Sequence, residues 1–469
     1  MNGSDGSADP VAHPLNELLR PAWPIRLDDI PGGLDDQASR IVCAPGGGQP
    51  SWLRSDAWRL WVRASEVPIR AMGDPIATFV REDGTETHAV LDESSGDVIV
   101  PFSLREAHAS YVSEGWRGGE PVRGLSERKL AAFYRVRALI PRGLQLAARR
   151  RLIRRQGVPT FPAWPCDTSV STLARFYATC ALRLSGVDEG RFTWFWPEGH
   201  HAAVVLTHDV ETVDGTRLVL ELADLEEEYG FRSSFNFGAW YEIDPGILRE
   251  LNSRGFEVGM HGLTHDRALF ASRESFEERL PALAALAERL GAAGFRSPAT
   301  HRVFSWLAEL PVEYDCTMPN SDPYEPIPGG CCTVWPFSIG PVVELPYTLP
   351  QDHTLLTLLG HRSPELWLDQ AAAIEREYGL IQCVSHPDPG YLGDADKRAI
   401  YAAFLEGLAE RDGLWRALPR EAAAWWRRRA SSHPTSSGLP LGTARFHGRD
   451  DGLASFSAPG SATNQRQDS

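Results

Sequence analysis

The sequence has few cysteines and no spacing that would pair them. Seven cysteines are spread over 469 residues, and none belongs to a C-x-x-C pair. This pattern argues against a disulfide framework and favours reduced thiols in a reducing compartment. We interpret the adjacent Cys331 and Cys332 as small packed residues, because neighbouring thiols form strained disulfides.

The sequence also lacks an excess of positive charge. There are 47 Lys and Arg against 62 Asp and Glu, which gives a net charge of −15. A general nucleic-acid binder is therefore not expected, because phosphate neutralisation needs clustered basic residues. One local exception runs from Arg149 to Arg155 and contains five arginines. It is either a solvated helix face that pairs with this acidic protein, or a contact for an anionic surface such as a membrane leaflet or a lipid-phosphate substrate.

Long apolar runs are missing as well. No stretch approaches the roughly 20 apolar residues that a membrane-spanning helix needs. The first residues, Met1 to Pro10, show neither the basic start nor the apolar core of a secretory signal. The expected location from the sequence is therefore the cytoplasm.

The chain is too long for one ordinary domain, and its composition changes along its length. Residues 1–40 are rich in Gly, Pro and Asp, which predicts a flexible lead-in. Residues 41–200 read as an α+β domain with strands first and a helix over 126–156. Within it, Asp83-Gly84 predicts a hairpin with a type I′ turn.

From residue 201 onward, strand-like and helix-like segments alternate. Such alternation over residues 201–430 predicts an α/β fold with a parallel sheet or barrel, whose ligands bind at the carboxyl ends of the strands. Residues 431–469 are dominated by polar and small residues, so we expect a disordered tail there.

Two apolar runs end in ionisable residues. The run from Val204 leads into Asp209 and Glu211, and the run from Phe256 leads into His261 and His265. Histidines four residues apart can reach one cation from the same side. Carboxylates two apart on a strand face the same way and would complete a mixed nitrogen and oxygen ligand set. A catalytic metal site of this kind also needs a separate carboxylate to take the proton of water. Asp209 and Glu211 supply one group for each role, ligand and base.

Four elements, in order and spacing, together resemble one family. They are Thr207-His208-Asp209-Val210-Glu211, His261-x-x-x-His265, Gly294-Phe-Arg296-Ser-Pro298 and Val384-Ser-His386-Pro. The chain resembles the polysaccharide deacetylases of the NodB-homology, carbohydrate esterase family 4 type over about residues 201 to 429. The resemblance implies a distorted (β/α) barrel, one divalent metal ion, often zinc, and hydrolysis of an N-acetyl group on an amino sugar.

Site roles follow from the resemblance position by position. His261 and His265 match the histidine ligands, and Arg296 matches the arginine that orients the catalytic base. His386 matches the general acid that protonates the leaving amine, for which imidazole is suited.

The first motif departs from the common Thr-Phe-Asp-Asp pattern. It is closer to an Asp-x-Asp variant, with Asp209 as the base and Glu211 as the metal ligand. The alternative is that Asp209 is the ligand and His208 the base, although strand alternation should turn His208 to the opposite side.

Three more residues are candidates for substrate contact. Asp315 and Asp322 lie where the family places such residues, but turns and loop capping explain them equally well. Trp335 could stack on a sugar ring, or it could be a core tryptophan.

The sequence thus predicts a metal-dependent carbohydrate deacetylase acting on a polysaccharide or its precursor. Two alternatives stay open. One is an amidohydrolase for a small cyclic or linear amide. The other is a non-catalytic glycan-binding or scaffold barrel, which the glutamate at position 211 favours.

Overall fold

The computed structural model describes residues 40–44, 46–47, 49–71, 75–117, 142–431, 438–446 and 452–460. The lead-in predicted for residues 1–40 lies outside this part except for its last residue. Residues 126–141 of the predicted helix also lie outside it.

The first domain contains a six-stranded sheet in the order β1-β6-β5-β4-β2-β3. Its strands are β1 (Ile41–Cys43), β2 (Ser51–Arg54), β3 (Arg59–Val62), β4 (Ala77–Val80), β5 (Glu86–Asp92) and β6 (Asp97–Val100). The α-helices described after these strands are α1 (Leu104–Val112), α2 (Arg142–Gln156) and α3 (Ser169–Ser185). Helix α3 packs on the sheet with a nearly continuous buried face. The predicted α+β content of this part is therefore present.

The hairpin between β4 and β5 is present, but its turn differs from the prediction. The backbone N of Gly84 donates to the carbonyl of Arg81 at 3.0 Å, and Gly84 adopts a φ of 82°. Asp83 is not among the residues with positive φ. A type I′ turn needs positive φ at both central residues, so the type I′ prediction is wrong.

The second domain is a curled, mostly parallel sheet in the order β15-β8-β9-β10-β11-β12-β14-β13. Its strands are β8 (Ala202–Val210), β9 (Ser233–Phe237), β10 (Glu257–Met260), β11 (Gly294–Phe295), β12 (Tyr314–Asp315), β13 (Phe337–Ile339), β14 (Val342–Glu344), β15 (Leu380–Ser385) and β16 (Leu414–Arg416). Strand β13 runs antiparallel to β14, and β16 pairs with the start of β8. The backbone N of Thr348 donates to the carbonyl of Gln382 at 3.2 Å, which joins the segment after β14 to β15. The predicted α/β class and distorted barrel are confirmed.

Helices cover the outside of this barrel. They are α4 (Val213–Glu228), α5 (Pro245–Ser253), α6 (Arg273–Leu290), α7 (Phe304–Leu307), α8 (Glu365–Arg376), α9 (Ala395–Ala409) and α10 (Pro419–Ser431). A π-helical segment, His353–Leu359, lies between β14 and α8. Among the described helices, none is both long enough and apolar enough to cross a membrane.

The prediction of a disordered tail over residues 431–469 is wrong for part of that range. Strands β17 (Leu441–Arg445) and β18 (Ser455–Ser457) form an antiparallel sheet with β7 (Glu189–Thr193). Ala444 is fully buried, and Phe456 packs on Phe192 with ring centroids 5.3 Å apart. These few apolar side chains offset the ordering entropy that the polar composition alone would not.

Candidate metal centre and active site

The predicted site residues converge at one rim of the barrel. Asp209 lies near the end of β8, His261 follows β10, Arg296 follows β11 and His386 follows β15. These strands belong to one parallel sheet, so their carboxyl ends meet on the same side. Glu211 comes directly after β8.

Glu211, His261 and His265 form a group that fits a divalent metal ion. Each offers one ligand atom, and these atoms lie within 4.8 Å of one another. Nδ1 of His261 lies 3.0 Å from the carbonyl oxygen of Arg296, so it carries the proton and donates. Nε2 of His261 is buried and has no hydrogen-bond partner among the described residues. A fixed tautomer with a free, buried Nε2 lone pair is the usual arrangement of a metal-binding histidine.

The charge states of this group also suit a cation. Burial lowers the pKa of His261 to about 4, although Asp209 and Glu211 partly counter the effect. His261 is therefore neutral at pH 7, as a ligand must be. Burial alone would raise the pKa of Glu211, but the hydrogen bond and charge of His265 and the charge of His386 hold it well below its usual value. The carboxylate of Glu211 is thus ionised.

The backbone of Glu211 is held on both sides. Its N–H donates to Oδ2 of Asp388 at 3.0 Å, and its carbonyl accepts from Nε1 of Trp240 at 2.9 Å. Oγ1 of Thr212 donates to Oδ1 of the same Asp388 at 2.5 Å. These bonds fix the backbone position of Glu211. From there its side chain reaches His265, with Oε1 of Glu211 2.8 Å from Nε2 of His265.

Asp209 has the environment of a poised base. It is buried, accepts a hydrogen bond from Nδ2 of Asn236 at 2.9 Å and lies 3.7 Å from Nε of Arg296. Burial alone would raise its pKa, but the nearby His261, Arg296 and His386 lower it below the usual value. Asp209 is therefore a carboxylate that can take a proton.

Arg296 is buried and only partly paired. Its Nη2 donates to Oγ1 of Thr207 at 3.0 Å, and Nε and Nη1 have no hydrogen-bond partner among the described residues. Its guanidinium can therefore act mainly through its charge on Asp209.

His386 is held by a second carboxylate. Its Nδ1 lies 2.7 Å from Oδ1 of Asp352, and its backbone N–H donates to Oδ2 of the same residue at 3.0 Å. Its Nε2 lies 3.8 Å from Oε1 of Glu211 and so faces the metal group. Burial alone lowers the pKa of His386, but the charges of Asp352, Glu211 and Asp209 raise it to about 10. His386 is thus a cation that can donate a proton into the site.

His208 points away from this group. It is fully buried, with Nδ1 2.8 Å from Oγ of Ser385 and Nε2 2.7 Å from Oε1 of Glu226. The alternation of side chains along β8 thus places Asp209 and His208 on opposite faces. The alternative in which His208 is the base does not agree with this position.

Two predicted substrate contacts lie inside the protein instead. Asp315 is fully buried next to Glu344 on the neighbouring strand and accepts from Oγ1 of Thr317 at 2.6 Å. Trp335 is 1% exposed, donates from Nε1 to the carbonyl of Tyr378 at 3.0 Å and stacks on Phe195. Neither side chain reaches a surface cleft, so their assignment as substrate-binding residues needs correction.

Asp322, the other residue considered for substrate contact, is also buried. It accepts hydrogen bonds from the backbone N of Tyr324 at 2.8 Å and from the hydroxyl of Tyr347 at 3.2 Å. The first of these bonds is the loop-capping contact that the sequence allowed for.

Sequence reasoning missed Asn236, Asp352 and Asp388. Asn236 stands beside Asp209 in the register of β9 and β8, so a strand alignment would have pointed to it. Asp388 comes two residues after His386, in the same post-strand turn. Asp352 has no local signal, because it lies just before the π-helical segment, 34 positions from its partner His386.

The assembled groups could together perform one kind of chemistry. Residues that fit a metal ion, a buried carboxylate beside an arginine, and a protonated histidine are the parts that metal-assisted hydrolysis needs. No protein-family model matches the sequence, and no curated protein matches it.

Several solved structures are similar to this chain. One is a Mycobacterium smegmatis protein assigned as a polysaccharide deacetylase, with 20% identity and a TM-score of 0.41, covering 55% of this chain and 98% of that one. A second is the allantoinase PuuE, with 16% identity and a TM-score of 0.39, covering 51% and 94%. A third is a family 4 carbohydrate esterase from Streptomyces lividans in complex with acetate, with 14% identity and a TM-score of 0.32, covering 46% and 93%.

Proposed function

We propose that this protein is a metal-dependent hydrolase of the polysaccharide deacetylase type, which removes an N-acetyl group from an amino sugar in a polysaccharide or its precursor. One observation carries the proposal. The metal group of Glu211, His261 and His265 shares one barrel rim with a buried carboxylate, Asp209, and a protonated histidine, His386. This combination provides a base and an acid next to one ligand set.

Glu211, His261 and His265 would hold the ion, preferably zinc, for which nitrogen and oxygen ligands are suited. When bound, a divalent ion polarises the acetamide carbonyl and acidifies water. Asp209 takes the proton of the attacking water, and Arg296 keeps that carboxylate charged and in place. His386 gives its Nε2 proton to the nitrogen of the breaking C–N bond, so that the amine leaves and acetate remains.

The test is acetate release with and without metal. We expect the purified protein to release acetate from N-acetylglucosamine oligomers or a lipid-linked precursor. We further expect activity to disappear on chelation and to return with zinc. Changing His261→Ala should weaken zinc affinity by more than the roughly 10–100-fold that the loss of a ligand-orienting group costs, because one of three protein ligands is lost. The matched control is His361→Ala, since His361 is exposed.

Each other outcome points to a different function. Full metal content and full activity in the His261→Ala protein would contradict the proposed site. Metal binding with hydrolysis of a cyclic ureide but no acetate release would support the small-amide alternative. Glycan binding without metal or hydrolysis would support the scaffold alternative.

The basic stretch of α2 supports a further proposal about partners. Nη2 of Arg149 donates to the carbonyl of Tyr324 at 2.5 Å, and Nε of Arg150 donates to that of Thr357 at 3.0 Å. These two arginines therefore dock the helix on the barrel and are not available to a partner.

The opposite face of α2 is exposed and mixed in character. Leu144 is 63% exposed and Leu152 44% exposed, and Arg151 and Arg155 lie on the same helical face. Such a face suits the surface of an anionic bilayer. We expect sedimentation with phosphatidylglycerol-containing vesicles but not with phosphatidylcholine alone, and loss of binding on Arg151→Glu with Arg155→Glu. Equal sedimentation of this double variant would contradict the proposal.

A further inference from the structure

A buried ion pair joins the first domain to the barrel. Glu114 follows α1, and its carboxylate accepts from Nη2 of Arg302 at 2.6 Å and from Nε at 3.1 Å. Only 12% of the Glu114 side chain and 2% of the Arg302 side chain are exposed. This two-point geometry is the strong form of an arginine–carboxylate contact.

A second arginine from the first domain strengthens the pair. Nη2 of Arg117 lies 2.7 Å from Oε1 of Glu114 and also donates to the carbonyl of Pro328. Burial alone would raise the pKa of Glu114, but Arg302 and Arg117 hold it below its usual value. Gly329 has a φ of 144°, and a Cβ there would lie 1.5 Å from Nη2 of Arg117. The loop after β12 is therefore shaped to receive this arginine.

Arg302 also binds the backbone of its own loop, which follows β11. Its Nη1 donates to the carbonyl of Thr300 at 2.9 Å. Ala299 and Thr300 have φ values of 48° and 53°, in the left-handed region that residues with a side chain seldom adopt. A strained loop of this kind persists only where its surroundings hold it.

The same loop contacts the segment that carries His261. It follows Arg296, whose carbonyl accepts from Nδ1 of His261. Its Pro298 packs against Gly262, where Cδ would lie 3.2 Å from an added Cβ and φ is 97°. Gly262 follows His261 directly and leads to His265, so the loop and the histidine segment are in contact.

We propose that Glu114 is a positioning residue of the metal centre: through Arg302 it holds loop 297–302 against Gly262, and so sets the placement of His261 and His265. The first domain is then part of the catalytic unit and not a separate module. This inference rests on the metal site of the proposed function, but its zinc readout, unlike its activity readout, does not depend on which substrate the protein hydrolyses.

The test uses the full chain with the isosteric change Glu114→Gln, which removes the charge that holds Arg302. Zinc affinity is measured by competition with a chelator, and kcat/KM by acetate release, at a temperature where near-UV circular dichroism matches the parent protein. We expect about a tenfold or greater loss of zinc affinity, the range typical of groups that orient metal ligands. The matched control is Asp97→Asn, which breaks the exposed Arg40–Asp97 pair in the same domain.

A second variant covers the case in which Glu114→Gln does not fold. Arg302→Lys keeps the positive charge beside Glu114 but loses the planar fork that also reaches Thr300. We expect it to weaken zinc binding as well. Folded variants with parental zinc affinity and kcat/KM would overturn the inference, provided that the parent binds zinc. A parent protein that binds no zinc would contradict the proposed function itself.

Discussion

At the scale of single residues, His386 shows how a neighbouring carboxylate adapts an imidazole to its task. Asp352 contacts both the ring and the backbone of His386. The ring nitrogen that faces Glu211 is thereby fixed in direction. The pKa of His386 is raised to about 10, so the ring is protonated through the neutral range.

Changing Asp352→Asn should move the pH profile. The variant removes the largest contribution that raises the pKa of His386, so the proton donor is lost at a lower pH than in the parent. The alkaline limb of kcat/KM should therefore shift to lower pH. The measurement is the pH dependence of acetate release, with Asp396→Asn, an exposed partner of Arg362, as the control. An unmoved alkaline limb in a folded Asp352→Asn protein would show that His386 is not the proton donor that limits the reaction.

The positions of site residues at strand ends could be predicted from the sequence, whereas the burial of Trp335 and Asp315 could not. The placement of Asp209, His261 and His386 follows from the order of strands in a parallel sheet. Trp335 and Asp315 could not be placed, because their burial depends on contacts with Phe195 and Glu344 that no local pattern contains.

At the scale of elements, the start of α4 is coupled to the metal group. Oγ1 of Thr212 accepts from the backbone N of Gly215 at 3.0 Å and so caps the helix. The same hydroxyl donates to Asp388, which accepts from the backbone N–H of Glu211. The helix cap and Glu211, the proposed metal ligand, therefore share one carboxylate.

Thr212→Ala should separate these two roles when compared with Ser272→Ala. Ser272 caps α6 in the same way, with Oγ accepting from the backbone N of Ser275 at 3.2 Å. Each change should lower the free energy of unfolding by about 1 kcal/mol, the typical value of an N-cap. Only Thr212→Ala should also weaken zinc binding, as measured by chelator competition. Equal zinc affinity in the two variants would contradict the coupling through Asp388.

The strands that lead to the site followed their sequence patterns closely. The apolar run from Val204 lies in β8 (Ala202–Val210), and the run from Phe256 leads into β10 (Glu257–Met260). The π-helical segment His353–Leu359 was not predicted, because its apolar run has no periodicity that distinguishes it from a strand.

At the scale of the whole molecule, the two predicted domains share buried contacts. The backbone N of Asp167 donates to Oδ1 of Asn320 at 2.7 Å, and Nε1 of Trp116 donates to the carbonyl of Gly330 at 3.2 Å. The residues in each of these pairs are more than 150 positions apart in the sequence, so local composition cannot predict the contacts. The first domain and the barrel are therefore joined by hydrogen bonds that are partly or fully buried.

The three-stranded sheet of β7, β17 and β18 packs the strands at residues 441–445 and 455–457 against the rest of the protein. Phe456 is 5% exposed, its ring meets Phe192 and Phe195, and the guanidinium of Arg175 lies 5.6 Å from its centre. Its carbonyl accepts from the hydroxyl of Tyr378 at 2.9 Å. Strand β18 therefore contributes directly to the core through Phe456.

Phe456→Ala tests whether this contribution is substantial. The change leaves a cavity beside Phe192, and large-to-small changes of a buried Phe cost about 3–5 kcal/mol. We expect a loss near the lower end of that range, because β18 is short and can move inward. Phe446→Ala is the control, since that ring is half-buried and should cost clearly less. The measurement is the free energy of unfolding of both variants in denaturant. Equal, small losses in the two variants would indicate a disordered tail and would contradict the prediction.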